Sequence, residues 1–354
     1  MSLVDQAKNI RDGEELDVER VDRYLKPHLS GLSGTPEIKQ FPGGASNLTY
    51  LISYPERDLI LRRPPFGKKA KSAHDMVREA RIMSALKPVY PYVPEVVLIA
   101  EQTEVMDCDF YVMERLVGII PRQNLDAQMG LSVEGVRQLC TNVVDKLIEL
   151  HGVDYQAADL AGIGKGSGYV ARQILGWSDR YRKAMTEDAS DFEVVMQWLE
   201  DKMPEDVATC VIHNDFRFDN VVLAVDDPQH VIGVLDWEMA TLGDPLMDLG
   251  NSLAYWVQTD DDPQFQMMRR QPTHEKGMMT RQQVVDYYLS KTGYQVKSFD
   301  FYEIYGLFRL AVIIQQIYYR YFHGQTKDKR FSGFGFAAKY MEQRCLRMIE
   351  QSSL

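Results

Sequence analysis

The sequence predicts an α+β protein in which a small sheet precedes a larger helical body. Three observations point there. Strand-like runs crowd the first third of the 354 residues, and apolar residues recur at helical spacing from Ser132 onward. Between later helical stretches, residues 211–240 carry a hairpin pattern with polar residues at its ends. Strands grouped before helices, rather than alternating with them, belong to the α+β class.

After a polar start, residues 16–29 place Val21, Leu25 and Leu29 on one helical face, with Pro27 near the end. Residues 37–41 and 48–54 then alternate like strands around Pro42, Gly43, Gly44, Ala45, Ser46 and Asn47. Adjacent glycines let backbone N–H groups approach an anion with no Cβ in the way, although most such loops are only turns. Asp58–Arg63 is a third strand, stopped by Pro64 and Pro65. A basic stretch, residues 66–74, leads into a helix over 75–86 that holds Glu79 among Val77, Ala80, Ile82 and Met83. Val96–Ala100 and residues 109–116 are two more strands, the second containing Met113, Glu114 and Leu116.

The composition then turns helical. Ser132 is a good N-cap, and Val136, Leu139, Val143, Leu147 and Leu150 form a stripe as far as His151, a structural histidine more readily than a ligand. Residues 162–168 have the glycine density of a phosphate-binding loop but not its spacing, because Lys165 is followed by Gly166 and no buried strand precedes it. They read as an interhelical loop. Helices are expected over 169–185 and 191–202. Residues 301–321 are apolar almost all round and predict a buried helix, and 334–349 predict the last one.

Within 211–240, apolar runs at 221–225 and 231–235 flank a turn of Asp226, Asp227 and Pro228. His213, Asp215 and Asn220 precede the first run, and Asp236 follows the second. A carboxylate, an amide five residues later and a second carboxylate after a hairpin can converge on one hydrated cation. Magnesium takes such oxygen ligands together with substrate phosphates. The bland alternative, a hairpin with solvated acidic turns, leaves four apt residues at this spacing to chance. The spacing H-x-D-x-x-x-x-N, followed by Asp after two short strands, is that of kinase catalytic and metal-binding loops. The words HNDFRFDN and LDWEMATLGDPLMDL resemble the aminoglycoside phosphotransferase/choline kinase-like family, most of all the branch found fused to acyl-CoA dehydrogenases.

The resemblance covers nearly the whole chain and implies a bilobed protein-kinase-like fold. Residues 1–116 would form the N-lobe, with an N-terminal helix, a small mixed five-stranded sheet and a hinge at its end. Residues 117–354 would form a larger, mainly helical C-lobe carrying the catalytic and metal loops. It implies ATP or GTP as co-substrate, Mg2+ as the metal and a small hydroxylated molecule as acceptor. Asp215 would take the hydroxyl proton, Arg217 would stabilise charge on the moving group, and Asn220 and Asp236 would hold the metal. His213 and Asp248 would support the loop. Gly43, Gly44, Ser46 and Asn47 would cover the nucleotide. Arg62 stands where the wider kinase pattern has a phosphate-gripping lysine, with Glu79 as its helix partner. A guanidinium can hold phosphate bidentately but cannot copy an ammonium's point charge. Met113 would lie behind the base, with backbone groups of Glu114 and Leu116 at its edge. Alone, Glu79 reads as a solvated helix charge and Met113 as plain core; their register with the motif raises both.

A net charge of -11 and a pI near 5.2 argue against a nucleic-acid binder. No stretch has the apolar length of a signal peptide or a membrane span, and the four cysteines form no C-x-x-C pair, so a cytoplasmic monomer or homodimer with no membrane partner is expected. For the acceptor, Asp260, Asp261 and Asp262 could serve a cation, whereas Lys68, Lys69, Lys71, Arg269, Arg270, Lys327 and Lys329 would suit an anion. The fused relatives imply a hydroxyacyl-CoA or a hydroxy acid, ranked above an aminoglycoside or another metabolite. A silent nucleotide-binding pseudokinase has Arg62 in its favour and intact Asp215, Asn220 and Asp236 against it. A protein kinase would need an activation segment and an A-P-E motif, and Asp236-Trp237-Glu238 stands in place of D-F-G.

Overall fold

A computed structural model describes residues 3–42, 47–66, 75–101 and 105–354. Its N-terminal part contains α1 (Val18–His28), β1 (Glu37–Gln40), β2 (Leu48–Ser53), β3 (Asp58–Arg63), α2 (Met76–Leu86), β4 (Val96–Ala100) and β5 (Phe110–Glu114). The five strands form one sheet in the order β1-β2-β3-β5-β4. Every pairing is antiparallel, so the expected mixed sheet is corrected. The α2 crossover leaves β3 and β4 running the same way, but β5 returns between them and pairs antiparallel with both.

The period-two alternation of strand side chains decides what each face of the sheet does. Leu59 and Leu61 of β3 pack with Val21 and Leu25 of α1 on the outer face. Ile60 goes to the other face, with Ala80 and Met83 of α2, and there joins the core of the helical body. Arg62, two residues on from Ile60, therefore faces α2 and the interior. Its cross-strand neighbour is Tyr111, and that of Ile60 is Met113.

The C-terminal part comprises α3 (Val133–His151), α4 (Tyr169–Lys183), α5 (Glu193–Asp201), β6 (Cys210–Ile212), β7 (Val221–Leu223), β8 (Val231–Val234), β9 (Thr241–Gly243), α6 (Pro245–Leu253), α7 (Pro263–Met267), α8 (Arg281–Thr292), α9 (Asp300–Phe322) and α10 (Phe334–Gln351). The hairpin is β7–β8, shorter than the sequence pattern because the register shifts between Val222 and Leu223. The β6–β9 pair, α6 and α8 were not marked by periodicity: the two strands are three residues each, and α8 announces itself by a Thr280/Gln283 capping box instead. The chain leaves the sheet through residues 115–119, where Ile119 and Leu223 exchange two backbone hydrogen bonds of 2.8 Å and dock this segment on β7.

The buried α9 helix sets the geometry of the site from below. A Cβ on Gly306 would drive into the Gly250 carbonyl, and one on Gly250 would drive into the backbone of Tyr302. Glycine at both positions lets α6 and α9 touch backbone to backbone. That contact sets Asp248 of α6 against the loop after β6 and brings Arg309 of α9 into the same cavity wall as Asn214. No helix among the described residues is long and apolar enough to cross a membrane.

Candidate active site

The loop after β6 is held from beneath by Asp248. Asp244 starts α6 by accepting the N–H groups of Leu246 and Met247, with Pro245 in the first turn, and this places Asp248 one turn in and fully buried. Its carboxylate accepts the backbone N–H of His213 at 2.8 Å and that of Asn214 at 2.7 Å. His151 adds a third bond at 3.1 Å and reaches Tyr288 at 2.6 Å through its other nitrogen, so this histidine is structural. Burial opposes the charge on Asp248, but these hydrogen bonds hold its pKa below the ordinary carboxylate value.

His213 turns the loop upward. Burial depresses its pKa, which keeps the imidazole neutral. Nε2 lies 3.0 Å from the Leu235 carbonyl, an acceptor, so Nε2 carries the hydrogen, and Nδ1 is left to accept the Asp215 N–H at 3.2 Å. The ring packs on Trp237, with centroids 4.7 Å apart. Asn214, at φ 65, and Asp236, at φ 70, both stand in the left-handed region. Asn and Asp tolerate that conformation better than other non-glycine residues, and here it marks the two loops that meet at the site.

Asp215, with 22 % of its side chain exposed, faces Arg217, whose Nε comes to 3.2 Å of Asp215 Oδ1 and 3.4 Å of Asp219 Oδ1. The guanidinium lies over the Tyr255 ring at 4.6 Å. The Asn220 amide donates to the backbone carbonyl of Asp215 at 2.8 Å and to its carboxylate at 3.1 Å. Burial pushes the Asp215 carboxyl up to about 6, with Arg217 opposing and Asp236 adding to the rise.

Across the cleft, Arg62 reaches Glu79 at 2.6 Å and Asp236 at 3.0 Å. The predicted register of strand and helix is thus met in space. Burial works against the guanidinium's charge, but Glu79, Tyr111 and Asp236 outweigh it and hold its pKa well above the ordinary value. One cavity is lined by Ile60, Arg62, Met113, Leu116, Asn220 and Asp236, with Glu114 also in its wall. The Glu114 N–H donates to the Glu95 carbonyl at 2.9 Å and its carboxylate reaches Arg57 at 3.4 Å, so that N–H is not open to a base. Asn47 donates to Glu238 at 2.7 Å and so ties the sheet to the segment after Asp236. Gly43, Gly44 and Ser46 lie outside the described residues, as do Lys68, Lys69 and Lys71.

The donor set fits magnesium. Because the Asn220 nitrogen is spent on Asp215, the amide oxygen is turned the other way, and the Leu235 N–H bonded to the Asn220 carbonyl at 2.8 Å keeps Asp236 beside it. An amide oxygen and a carboxylate in one cleft, with room left for phosphate oxygens, is a hard-cation arrangement.

Several residues escaped the sequence reading. Gln271 accepts the Phe218 N–H at 2.8 Å, and Tyr255 supports Arg217. Arg78 on α2 donates to the carbonyls of Ala240 at 2.5 Å and Ile163 at 3.2 Å, clamping the segment after Asp236. Only Asn214 carried a signal, since Asn within H-N-D is a candidate for left-handed backbone. Asp261 and Asp262 of the acidic cluster are structural, and exposed Asp260 accepts from the Gln258 amide at 3.1 Å. Asp261 pairs with Arg281 and Arg344, each at 2.7 Å, and Asp262 caps α7 and accepts from Tyr340 at 2.6 Å. Arg269, Arg270, Lys327 and Lys329 do not line this cleft.

An antiparallel five-stranded sheet over a helical body, with Asp215, Asn220 and Asp236 meeting Arg62 in the cleft between them, defines a protein-kinase-like phosphotransferase fold. The chain belongs to the phosphotransferase enzyme family, whose sequence profile matches residues 37–279. Acyl-CoA dehydrogenase family member 10 of Mus musculus is 34% identical over 328 residues, covering 92% of this chain and 30% of that protein. The chain therefore spans about a third of that relative's length. A solved structure from Ralstonia eutropha JMP134, described as an aminoglycoside phosphotransferase, is 27% identical with a TM-score of 0.80, covering 96% of this chain and 100% of that one. Aminoglycoside phosphotransferase APH(4)-Ia, solved as a ternary complex with ADP and hygromycin B, shares the fold at a TM-score of 0.58 and 16% identity, covering 94% and 99%.

Proposed function

We propose that the protein transfers the γ-phosphate of ATP to a hydroxyl of a small molecule, a hydroxyacyl-CoA or a hydroxy acid before an aminoglycoside. The observation that carries this reading is the convergence of Asp215, Arg217 and Asn220 with the Arg62–Glu79–Asp236 cluster. In the reaction the acceptor oxygen forms a bond to the γ-phosphorus as the bond to the bridging β–γ oxygen breaks, and ADP leaves. Asp215 accepts a hydrogen bond from the hydroxyl, orients it and takes its proton late. Orientation outweighs base strength, because the transition state of phosphoryl transfer is loose. Arg217, already turned to Asp215, stabilises charge on the transferred group. Asn220 and Asp236 hold magnesium, which when bound neutralises phosphate charge. Arg62 passes from Asp236 to the phosphates while Glu79 keeps hold of it. Met113 packs behind the base, and with the Glu114 N–H taken, Leu116 is the backbone donor at its edge. The lobes divide after residue 116.

The use of Asp261 and Asp262 in ion pairs within the fold favours an anionic acceptor over a cationic one. The name of the Mus musculus relative favours acyl-CoA chemistry nearby. The test is phosphorus NMR of the products formed from ATP and magnesium with hydroxyacyl-CoAs, hydroxy acids and aminoglycosides. A new phosphomonoester on an acyl-CoA or hydroxy acid is expected. ATP binding with no product from any acceptor would favour the silent module instead.

A further inference from the structure

Below Asn214 lies a second cavity, of about 720 Å³, that shares no wall residue with the nucleotide cleft. Its walls are residues 163–165, one face of α4, the segment 239–242 and Arg309 of α9. Four cationic side chains line it, Lys165, Arg172, Arg180 and Arg309, and no Asp or Glu does. In a chain with 51 acidic residues against 40 basic ones, a wall of this size without a carboxylate is a departure from the background.

Arg309 is the telling residue. It is only 4% exposed. Among the described residues three arginines are this deeply buried, and two have acceptors: Arg62 has Glu79 and Asp236, and Arg63 donates to the Pro64 carbonyl. The Arg309 side chain has no hydrogen bond and no ion pair with any described residue; it rests on the Trp177 ring at 5.2 Å, and Arg180 lies over the same ring at 4.5 Å. None of its guanidinium nitrogens is sealed from solvent, so the group opens on the cavity, where it meets no protein acceptor, and two cations over one indole repel each other. An oxyanion in the cavity supplies the acceptor and relieves the repulsion. Arg172 is already committed, donating to the carbonyls of Gly166 and Ser167, and so stiffens the glycine-rich loop that forms one wall.

We propose that this cavity is the subsite for an anionic group of the acceptor, a carboxylate or a phosphate, bound by Arg309 and Arg180 while the acceptor hydroxyl lies at Asp215. Asn214 is a wall of the cavity and immediately precedes Asp215 in the chain, so the cavity adjoins the loop that carries the proposed base. The charge of Arg309 is felt at Asp215, which places the subsite within electrostatic reach of the base. The inference rests on the phosphotransfer reading for the word acceptor, but the anion site itself does not.

Calorimetric titration with two probes separates the possible anions: 3-hydroxybutyrate supplies a carboxylate, and coenzyme A supplies phosphates. At least one should bind the wild-type protein. Binding should weaken roughly 10- to 100-fold in Arg309→Met, as expected for a lost charge-assisted hydrogen-bond pair, and severalfold in Arg180→Ala. ATP affinity should hold in both variants. The probe that loses affinity identifies the anion. Arg180 is exposed, so its variant decides the matter if Arg309→Met does not fold. Neither probe binding the wild type at millimolar concentration, or both binding the variants as well as the wild type, would overturn the subsite. A wild type that binds a probe but no ATP would sink the phosphotransfer reading and leave the anion site standing.

Discussion

Asp215 and Asp248 are two largely buried carboxylates serving the same loop, and the fold treats them in opposite ways. Asp248 receives two backbone N–H groups and a histidine, so its charge is satisfied and its pKa falls. Asp215 has an arginine at 3.2 Å and one amide donor, and its pKa climbs to about 6. A saturated carboxylate holds a loop still; a partly satisfied one at a cleft is left able to accept a proton. The same residue type is thus a satisfied brace at one position and, in the proposed function, a base at the other, according to how many donors the backbone aims at it.

Exchanging the chemistry of each carboxylate tests this contrast. Asp215→Asn should lower turnover by about 10²- to 10⁴-fold, the usual worth of a general base, with ATP affinity kept. Its melting temperature at pH 7.5 should hold or rise, because the lost carboxylate was one whose ionisation the fold opposes. Wild-type turnover in this variant would end the assignment. Asp248→Ala should do the reverse and cost about 3–5 kcal/mol of stability, since it strands two buried N–H groups and the His151–Tyr288 pair. Urea unfolding measures it, and a loss below 1 kcal/mol would mean the loop does not depend on this brace.

Acidification should separate the two next. Asp215 must be ionised to take a proton, so kcat/KM for the acceptor should fall through about pH 6, tenfold per unit below it. In stability the signs are opposite. The raised pKa of Asp215 favours folding below the ordinary carboxylate value and loses that contribution as pH rises through about 6. The lowered pKa of Asp248 favours folding above the ordinary value and is lost as pH falls through its depressed one. A flat rate profile between pH 5 and 7 would contradict the first statement. The smallest effect is expected at the join between the lobes. Asn47→Ala removes one hydrogen bond to Glu238, worth about 1 kcal/mol, and should raise the KM for ATP severalfold without touching the Asp215 pH limb.

The parts of this site that could be read from the sequence are those with fixed spacing. Asp215, Asn220 and Asp236 sit on a loop and a hairpin whose short span dictates where they meet, and the alternation of β3 put Arg62 on the face of Glu79. What could not be read depends on contacts between distant elements. The antiparallel character of the sheet follows from β5 returning between β3 and β4, which no local pattern records. Arg309 lies 94 residues after Asp215 in the chain and joins Asn214 in the cavity wall through the Gly250–Gly306 contact between two helices. Asp261 and Asp262 looked available for a cationic ligand because their partners, Arg281 and Arg344, lie on other helices. The fold class and the meeting of Asp215, Asn220 and Asp236 with Arg62 were therefore legible, and the surroundings of Arg309 were not.

The most direct test of the account is an ATP titration by calorimetry, with and without magnesium, on wild type, Asp215→Asn and Asp236→Ala. The account predicts magnesium-dependent binding to the wild type, nearly the same binding to Asp215→Asn, and loss of the magnesium dependence in Asp236→Ala. Binding that is equal with and without the metal, or no binding of ATP or GTP at all, would contradict it.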